Sequence, residues 1–534
     1  MSDVVLSRPF SRRTLLTGAA LGATGGLLDI RTAHASAVRT DPFALGVASG
    51  DPLPGSVVLW TMLKGRDGGP LSAQYVPVHW EIAHDPAFRR PARRGTAVAT
   101  AQLGHSVHVD VGGLTPATTY WYRFRAGGYV SPAGCTRTAP ALGSAVSRLR
   151  FAIANCQDFQ NGYWPAYDGI ADEDIDLVMH LGDYIYEYDP HSIYPDRNHS
   201  TPATSGLDQL RTLEDYRARH AQYKLDPALQ KAHAHAAWIV TWDDHEVENN
   251  YASLIDEVGD TGDRYQTPEQ FAQQRAVAYQ AYYEHMPIRA RLVPGSPDLR
   301  IFRSFDFGDL ARFTVLDTRQ YRTDQPGDQP LDFGPETLGT SNVDGTLTGE
   351  TQERWLRRRL TSSAARWNVV AQQVMMSRIR FPDFTFSGQP FISNLDQWDG
   401  YAPQRQRLLS FVAEREISNP VVLAGDIHSS WFSDLRVDPN DLTAPVVASE
   451  YVATSISSDF PIVFDAPLKL ANPFLNPHVR YFDGSKRGYL RIDVDRERWL
   501  VEQRSVASIA VRQSPVTTTA AYATEAGHPG VVPA

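Results

Sequence analysis

The chain has 534 residues, of which 42% are hydrophobic, 21% charged and 10% aromatic. This composition is typical of a folded globular protein and excludes the disordered, collagen-like and coiled-coil classes. A formal net charge of −10 predicts no electrostatic footprint for nucleic acid, and only two cysteines exclude a disulfide-rich scaffold. The length is enough for about two to four domains, or for one large catalytic domain with a small companion.

The first 35 residues have the features of a secretory signal. Arg12 and Arg13 precede a weakly apolar run from Leu15 to Leu28, and an Ala-His-Ala cleavage signal ends at Ala35. The adjacent arginines resemble a twin-arginine signal, which implies bacterial export of the folded protein by the twin-arginine machinery, to the cell envelope or beyond. The alternative is a frayed cytosolic N-terminus. No later stretch approaches 18 apolar residues, so we expect no transmembrane anchor in the mature protein.

Residues 40–140 have the pattern of a small all-β domain. Short apolar or alternating runs at 57–60, 76–82, 107–111 and 120–124 are separated by turn signals. We therefore expect a β-sandwich of about 100 residues, whose strand spacing resembles a fibronectin type III module. Residues 131–143, rich in Pro, Gly, Thr and Ala, are predicted to link it to a catalytic domain at 146–534.

The catalytic region has the alternation of buried strands and helices that is typical of a layered α/β fold. Six apolar runs predict strands buried on both faces: Leu149–Ala154, Ile175–Leu181, Ala236–Thr241, Phe313–Leu316, Val369–Ala371 and Val421–Ala424. Helical periodicity lies between them, at Thr267–Tyr283, Glu350–Leu360 and Gln404–Arg415.

Polar residues follow each of these runs directly. In chain order they are Asn155-Cys156-Gln157, Gly182-Asp183-Tyr184-Ile185-Tyr186-Glu187, Trp242-Asp243-Asp244-His245-Glu246, Asp317-Thr318-Arg319, Gln372-Gln373 and Gly425-Asp426-Ile427-His428. Ligands of layered α/β folds bind outside the carboxyl ends of the strands. Each segment alone could be a strand-end turn, a helix cap or a surface pair. Their shared context favours a metal site, because it gathers a thiol, carboxylates, imidazoles and a phenol.

The ordered elements Gly-Asp-x-x-Tyr, Asp-His-Glu and Gly-Asp-x-His resemble the signature of the calcineurin-like metallophosphoesterases. Within them, the sequence is most similar to the alkaline phosphatase D family, which is related to purple acid phosphatases. The similarity begins at Phe43–Pro52, continues through Asp396–Tyr401 and ends near Glu450–Ser458. It implies a layered metallophosphoesterase fold, a β-sandwich flanked by helices, that follows the small N-terminal domain.

The resemblance also implies a mixed site with one Fe³⁺ and one or two Ca²⁺. At the matching positions, Cys156, Tyr186 and His428 would hold iron, Asp183 would bridge, and Asp244 and Asp426 would complete the calcium side. Purple acid phosphatases have Asn and His where this chain has the last two carboxylates. Hard Ca²⁺ prefers oxygen ligands, whereas Fe³⁺ accepts anionic phenolate and thiolate donors. In an oxidising compartment Cys156 could instead pair with Cys135.

The implied activity is hydrolysis of phosphodiesters and phosphomonoesters by a metal-activated hydroxide. His245 is the candidate general acid for the leaving group, with a structural histidine as the alternative. Arg319 is predicted to clamp a phosphate oxygen, or else to pair only with Asp317. Asn249 and Asn250 are candidate calcium ligands or phosphate donors. Trp398, Asp399 and Tyr401 are predicted to line the substrate cleft, or to belong to an aromatic core.

Two other functions stay open at this point. One is a phospholipase D-like phosphodiesterase, although the sequence has no obvious amphipathic anchor for lipid. The other is an exported binding protein in which the β-domain carries the function and the metal is structural. Structural metal sites are coordinatively closed, whereas the surplus donors here favour an open site.

Overall fold

A computed structural model describes residues 38–65, 69–188, 193–197, 210–256, 266–327, 333–385 and 387–534. The predicted export signal lies outside these residues. No helix in the described ranges is long and apolar enough to cross a membrane.

The strands of the described chain are β1 (Val47–Leu53), β2 (Ser56–Met62), β3 (Tyr75–Ala83), β4 (Pro91–Thr100), β5 (Ser106–Gly112), β6 (Thr119–Ala126), β7 (Tyr129–Val130), β8 (Gly134–Arg137), β9 (Arg148–Ala154), β10 (Leu177–His180), β11 (Ala237–Val240), β12 (Arg303–Phe307), β13 (Ala311–Val315), β14 (Phe333–Gly334), β15 (Trp367–Ala371), β16 (Ser393–Asn394), β17 (Pro420–Ala424), β18 (Ser430–Leu435), β19 (Ala448–Val452), β20 (Val479–Asp483), β21 (Gly488–Asp495), β22 (Arg498–Val506), β23 (Val516–Glu525) and β24 (His528–Pro533). All six predicted strands of the catalytic region are confirmed as β9, β10, β11, β13, β15 and β17.

The α-helices of the same ranges are α1 (Pro165–Asp172), α2 (Leu213–Lys224), α3 (Pro227–His235), α4 (Pro268–His285), α5 (Glu336–Ser341), α6 (Gly349–Thr361), α7 (Ala402–Glu414) and α8 (Asp465–Leu475). The three predicted helices are confirmed as α4, α6 and α7. The start of α4 shows why the sequence locates it well. Thr267 accepts a hydrogen bond from the Gln270 amide, the Gln270 side chain accepts one from the Thr267 amide, and Pro268 fills the first turn.

Two large sheets form the centre of the molecule. The first has the order β24-β23-β22-β21-β9-β10-β11-β1-β2-β5, and its strands β9, β10, β11 and β1 are parallel. The second has the order β12-β13-β15-β17-β19-β18-β20, with β13, β15, β17 and β19 parallel. Parallel neighbours end at the same edge, so the carboxyl ends of β9, β10 and β11 lie side by side.

The sheets pack face to face and helices cover their outer faces. Phe151, Met179, Phe313 and Leu423 belong to the shared apolar core between the sheets. Helices α1 to α4 cover the first sheet, and α6 and α7 cover the second. The predicted layered α/β fold, a sandwich of sheets flanked by helices, is confirmed.

The N-terminal region is all-β, as predicted, and is joined to the catalytic region by hydrogen bonds. Strands β3, β4, β6, β7 and β8 form their own sheet, which packs against β1, β2 and β5. Strand β1 in turn pairs with β11, with Ser49 opposite Ala237. The predicted linker at 131–143 is partly wrong, because its residues 134–137 form β8 and pair with β6. The division into domains at 40–140 and 146–534 stays a prediction, and so does the fibronectin-like detail.

Candidate metal centre

The ends of β9 and β10 bring the first two candidate ligands together. Beyond the strands the ladder continues, because the Cys156 amide donates to the Gly182 carbonyl at 3.2 Å and the Gln157 amide donates to the Asp183 carbonyl at 3.1 Å. The Cys156 thiol therefore lies against the Asp183 carboxylate, with Sγ 3.3 Å from Oδ2.

At two strand ends a glycine precedes an aspartate, because another segment of the chain passes too close to leave room for a side chain. A Cβ at Gly182 would lie 2.5 Å from the Asp243 Cβ, and one at Gly425 would lie 2.6 Å from the Asn155 Cγ. The Gly182 φ of 116° also disfavours L residues. The glycine thus lets neighbouring strand ends come so close that their carboxylates belong to one cluster.

Four candidate ligands adopt left-handed backbone conformations that non-glycine residues seldom use. Their φ angles are 54° at Cys156, 55° at Asp183, 64° at Asp426 and 57° at His428. Such conformations cost about 1–3 kcal/mol each and are concentrated at functional sites. Here each one turns the chain sharply at the end of a strand.

A mixed sulfur, nitrogen and oxygen cluster lies on one side of Asp183. The Tyr186 Oη is 3.3 Å from the Asp183 Oδ2 and 3.2 Å from the His428 Nε2. The Cys156 thiol, the Asp183 carboxylate and the His428 imidazole are close enough to share one ion. Ser458 donates to the Tyr186 oxygen at 2.6 Å, and the His428 Nδ1 is 2.9 Å from the Asp459 carbonyl. These second contacts fix the orientation of both rings.

An all-carboxylate cluster lies on the other side. Asp183, Asp243, Asp244 and Asp426 each place an oxygen within 4.8 Å of the others. The Asp183 Oδ1, the Asp243 Oδ2 and the Asp244 Oδ1 are buried and have no hydrogen-bond partner among the described residues. Buried carboxylate oxygens are costly unless something compensates them. This donor set therefore fits a hard cation.

The electrostatics of the cluster indicate a shortage of positive charge. Burial, followed by the charges of Asp183 and Asp426, raises the pKa of the Cys156 thiol well above its usual value. Burial and then Asp244 raise the pKa of Asp426 to about 6. Burial would also raise the pKa of Asp244, but Arg319 and His245 outweigh it and lower that pKa. A bound cation would favour the ionised forms.

His245 lies between the cluster and a buried glutamate. Its Nδ1 is 2.8 Å from the Glu187 Oε2, and its ring centroid is 4.1 Å from that of Tyr186. Burial lowers the pKa of His245, but the carboxylates of Glu187, Asp244 and Asp183 outweigh burial and raise it well above its usual value. These carboxylates therefore favour the protonated form of the imidazole.

Two buried glutamates beside the predicted ligands hold the site together. Glu246 accepts hydrogen bonds from the amides of Asp183, Tyr184 and Asp243, at 3.1, 2.7 and 2.8 Å. Glu187 accepts one from the Asn249 amide at 2.7 Å. Both are completely buried. In the sequence, the only indication of this role is that each glutamate lies directly beside candidate site residues.

Arg319 does not occupy the predicted position of a phosphate clamp. It is fully buried, its Nε donates to Asp243, and its two terminal nitrogens donate to both oxygens of Asp396 at 2.7 and 2.8 Å. The alternative pairing is also wrong, because Asp317 accepts from the Arg319 backbone amide and not from the guanidinium. The arginine lies behind the carboxylates and partly balances their charge.

The aromatic residues Trp398 and Tyr401 belong to an aromatic core, as the second of the two predictions has it, and the prediction that they line the cleft is wrong. Both are fully buried in one apolar cluster; the Trp398 Nε1 donates to Gln372 at 3.2 Å and the Tyr401 Oη to the Thr323 carbonyl at 2.7 Å. Asp399 is buried against Arg405. Asn249, in contrast, does line the cleft described next.

A cleft of about 600 Å³ opens directly above the two clusters. Its floor is polar and includes Asp183, Asp244, His245, Asn249, Asn250, Asp426 and His428. Its opposite wall is apolar, with Phe333, Phe381, Phe384, Phe460, Val463, Phe464, Pro467 and Leu468.

The two cysteines are both free thiols, so the alternative Cys135–Cys156 disulfide does not form.

Comparison with known proteins identifies the family. The PhoD-like phosphatase family matches residues 151–503, and its N-terminal domain family matches residues 30–140. Alkaline phosphatase D of Bacillus subtilis (strain 168) is 43% identical over 528 residues, which cover 96% of this chain and 87% of that protein. This chain belongs to the PhoD-like phosphatase family. It is accordingly a phosphoric ester hydrolase, and the expected resemblance is confirmed.

Solved structures agree with the family and extend the relationship in fold. A structure of PhoD superposes with a TM-score of 0.85 at 42% identity, covering 93% of this chain and 92% of that one. Purple acid phosphatase PPD1 from yellow lupin (Lupinus luteus) seeds superposes with a TM-score of 0.52 at 13% identity, covering 88% and 74%. The second match shows that the PhoD-like fold and the purple acid phosphatase fold share an architecture.

Proposed function

We propose that this PhoD-like protein is a metal-dependent phosphodiesterase and phosphomonoesterase that acts outside the cytoplasm. The observation that carries the proposal is the pair of donor clusters joined by Asp183, with unpartnered carboxylate oxygens, at the floor of an open cleft. An exported binding protein with a structural metal is not supported, because the family is one of hydrolases and the donors face a cleft.

The donor chemistry supports Fe³⁺ on one side and Ca²⁺ on the other. Cys156, Tyr186 and His428 would hold the ferric ion, whose high charge suits thiolate and phenolate. Asp183 would bridge, and Asp244 and Asp426 would complete an oxygen-only site for Ca²⁺, with Asn249 beside it. Bound there, two cations would polarise the phosphoryl oxygens and lower the pKa of a water nucleophile.

His245 would act as the general acid for the leaving alkoxide. Glu187 holds the Nδ1 of the ring, so the proton for the substrate would be carried on Nε2. The carboxylates around the ring favour its protonated form. Arg319 would be a positioning residue, because its forked contacts orient Asp243 and Asp396.

The N-terminal segment completes the proposal. Residues 1–35 would be a twin-arginine-type export signal, followed by an N-terminal β-domain at 40–140 and the catalytic domain at 146–534. Export of an already folded chain would agree with a site that is loaded with metal before it leaves the cytoplasm.

Metal analysis combined with optical spectroscopy tests the ligand set. We expect about one iron per chain together with calcium, and a visible absorption band from the Tyr186 phenolate bound to Fe³⁺. Tyr186→Phe should remove the band, whereas Tyr188→Phe, a neighbouring tyrosine outside the predicted set, should leave it. Paired assays on a soluble phosphomonoester and a soluble phosphodiester would establish the activity. A colourless, iron-free and fully active enzyme would refute this ligand set.

A further inference from the structure

One face of the small N-terminal sheet is exposed to solvent. In β3 and β6, Val78, Tyr122 and Phe124 belong to the apolar core that this sheet shares with β1, β2 and β5. Side chains alternate between the two faces of a strand, so the residues between them lie on the outer face. His79 and Arg125, which are opposite each other in the ladder, are both exposed. The outer face is therefore accessible to a partner in solution.

Three arginines surround a single glutamate on this outer face. Arg94 on β4 and Arg123 on β6 are the ladder neighbours of Glu81 on β3. Glu81 accepts a hydrogen bond from the Arg123 Nε at 2.6 Å and lies 3.2 Å from an Arg125 nitrogen. Among the described residues, the exposed Arg94 guanidinium has no hydrogen-bond or ion-pair partner. We call these four residues the arginine face; its positive charge exceeds its negative charge.

The turn between β3 and β4 adds positive charge at one end of the arginine face. Residues 89–94 are Arg-Arg-Pro-Ala-Arg-Arg, and all four of these arginines are exposed. Asp85, the acidic residue of the turn, accepts hydrogen bonds from three backbone amides of the same turn. Short runs rich in arginine are typical of polyanion-binding patches. Because the whole chain has a net charge of −10, this local excess of positive charge is a distinct feature of the molecule.

A cleft of about 400 Å³ lies on this part of the sheet. Its lining includes Arg94, Arg125 and Glu81, together with His79 and Thr96, whose Nδ1 and Oγ1 atoms are 2.9 Å apart. The cleft thus offers cations alongside a carboxylate and uncharged hydrogen-bonding groups. Neighbouring strands lie about 4.8 Å apart, so the backbones that carry the outer arginines of the row are separated by about 10 Å.

This order of charges distinguishes between kinds of polyanion. A chain with phosphate on every unit, such as polyphosphate or nucleic acid, would place a negative charge opposite Glu81 as well as opposite the arginines. A glycan in which acidic and neutral sugars alternate would place carboxylates at the arginines, and hydroxyls at Glu81, His79 and Thr96. The planar guanidinium suits a carboxylate, which it can bind through two parallel hydrogen bonds.

We propose that the arginine face is a docking site for an acidic polysaccharide, a linear glycan whose carboxylates are separated by neutral sugar units. Arg94 binds one carboxylate, and Arg125 binds the next along the chain. Strand β1 joins the N-terminal region to β11, so a docked glycan would keep the metal centre close to the polymer. Docking goes beyond the proposed function and does not depend on it, because none of these residues belongs to the metal centre.

The test measures binding of the mature, metal-loaded enzyme to immobilised hyaluronan, a linear glycan with one carboxylate per disaccharide. At about 0.15 M salt the Debye length is about 8 Å, so the acidic remainder of the chain contributes little. The double variant R94Q/R125Q should weaken binding by about 10-fold or more, because it removes two charge-assisted contacts. Glu81 keeps Arg123 in this variant, so the rate on soluble bis(p-nitrophenyl) phosphate should stay within about two-fold.

The matched control is R354Q/R358Q, which removes two exposed arginines from α6 and should bind hyaluronan as the wild type does. Neutral dextran should not bind, and polyphosphate should bind more weakly than hyaluronan at equal charge concentration. Unchanged hyaluronan binding by R94Q/R125Q, or an equal loss in the control, would overturn the docking site. So would a variant that loses binding and ester hydrolysis together, because the arginines would then have a structural role. Tighter binding of polyphosphate or single-stranded DNA than of hyaluronan would overturn the glycan as the occupant.

Discussion

The two walls of the cleft are built in opposite ways. The floor consists of short loops at the ends of β9, β10, β11 and β17, and four of its donors are held in left-handed conformations. The facing wall consists of a surface helix and aromatic side chains with few polar contacts. A site that must hold cations needs donors fixed by the backbone and by buried carboxylates. A wall that receives an apolar group needs only shape and area. We therefore expect the floor to determine the reaction and the wall to contribute to the selection of esters.

The largest effect is expected at the carboxylate shared by both donor clusters. Asp183→Asn should lower kcat/KM by about 1,000-fold or more, because several kcal/mol of charge stabilisation would depend on the proposed cations. Elemental analysis should show the loss of metal in parallel.

Asp383→Asn is the matched control for Asp183→Asn. Asp383 lines the same cleft but accepts hydrogen bonds from its own loop, at Thr385 and Gly388. We expect it to keep its metal and activity within about three-fold, as is usual for positions outside the reacting groups. Equal losses in both variants would contradict the assignment of the floor.

His245→Ala should affect esters according to their leaving groups. On an alkyl phosphodiester, whose alkoxide needs a proton, we expect a loss of about 100-fold, near the lower end of the range for proton transfer. On a nitrophenyl ester, whose leaving group is stable as an anion, the loss should be much smaller. Steady-state rates on both substrates measure this difference. Identical losses would leave His245 with a structural role.

Arg319→Ala tests whether the floor depends on its buried arginine. Removing one partner of a buried ion pair costs about 3–5 kcal/mol of folding free energy, and here Asp243 would lose its cationic partner, whereas Asp396 would keep Arg322. Denaturant unfolding of the metal-free protein measures the loss. The control is Arg354→Ala, since Arg354 forms an exposed pair with Glu350 on α6 and should change stability by less than about 1 kcal/mol. A similar small change in both variants would contradict the positioning role.

The smallest effect is expected on the apolar wall. Phe384→Ala should raise KM for an ester with a long acyl or aryl group by up to about 10-fold, the value of partly losing an apolar contact. For a short-chain ester KM should be unchanged, and kcat should stay the same for both. Rates measured against substrates of increasing chain length would show the divergence. A uniform change across the series would mean that the wall has no part in selection.

The same contrast explains how much the sequence could predict. Cys156, Asp183 and Asp244 follow β9, β10 and β11, and the rule that parallel neighbours of one sheet end together brings these three into one place. Asp426 and His428 follow β17 of the second sheet, so they reach the site only because the two sheets pack face to face. Tyr186 can be predicted in the same way, because it lies in the loop of Asp183. Site residues that directly follow a strand can be predicted from the sequence, because the buried strands have a strong pattern of apolar residues.

Other parts depend on packing that no local pattern reveals. Arg319 meets Asp243 and Asp396 across 76 and 77 positions of sequence, and a motif cannot show which side of a loop faces inward. Trp398 and Tyr401 lie in a motif beside Asp396, yet they pack away from the cleft. Helix α8 is not predictable from the sequence in the same way, because Pro467 and Pro473 are a poor signal for a helix. Which side chains become buried depends on how the sheets and helices pack together, and this packing is not visible in any local stretch of sequence.

The pairing of β9 sets the order in which this enzyme can mature. Strand β9 lies between β10 and β21, and Arg148 bonds to Asp493, 345 positions later. The edge of β9 that pairs with β21 can be covered only after residues 488–495 have been synthesised. Contacts of such long range form slowly, and a bare central edge invites pairing with other chains. We therefore expect a polypeptide that ends before residue 488 to expose this edge of β9 and to leave the first sheet, and with it the site at its edge, incomplete.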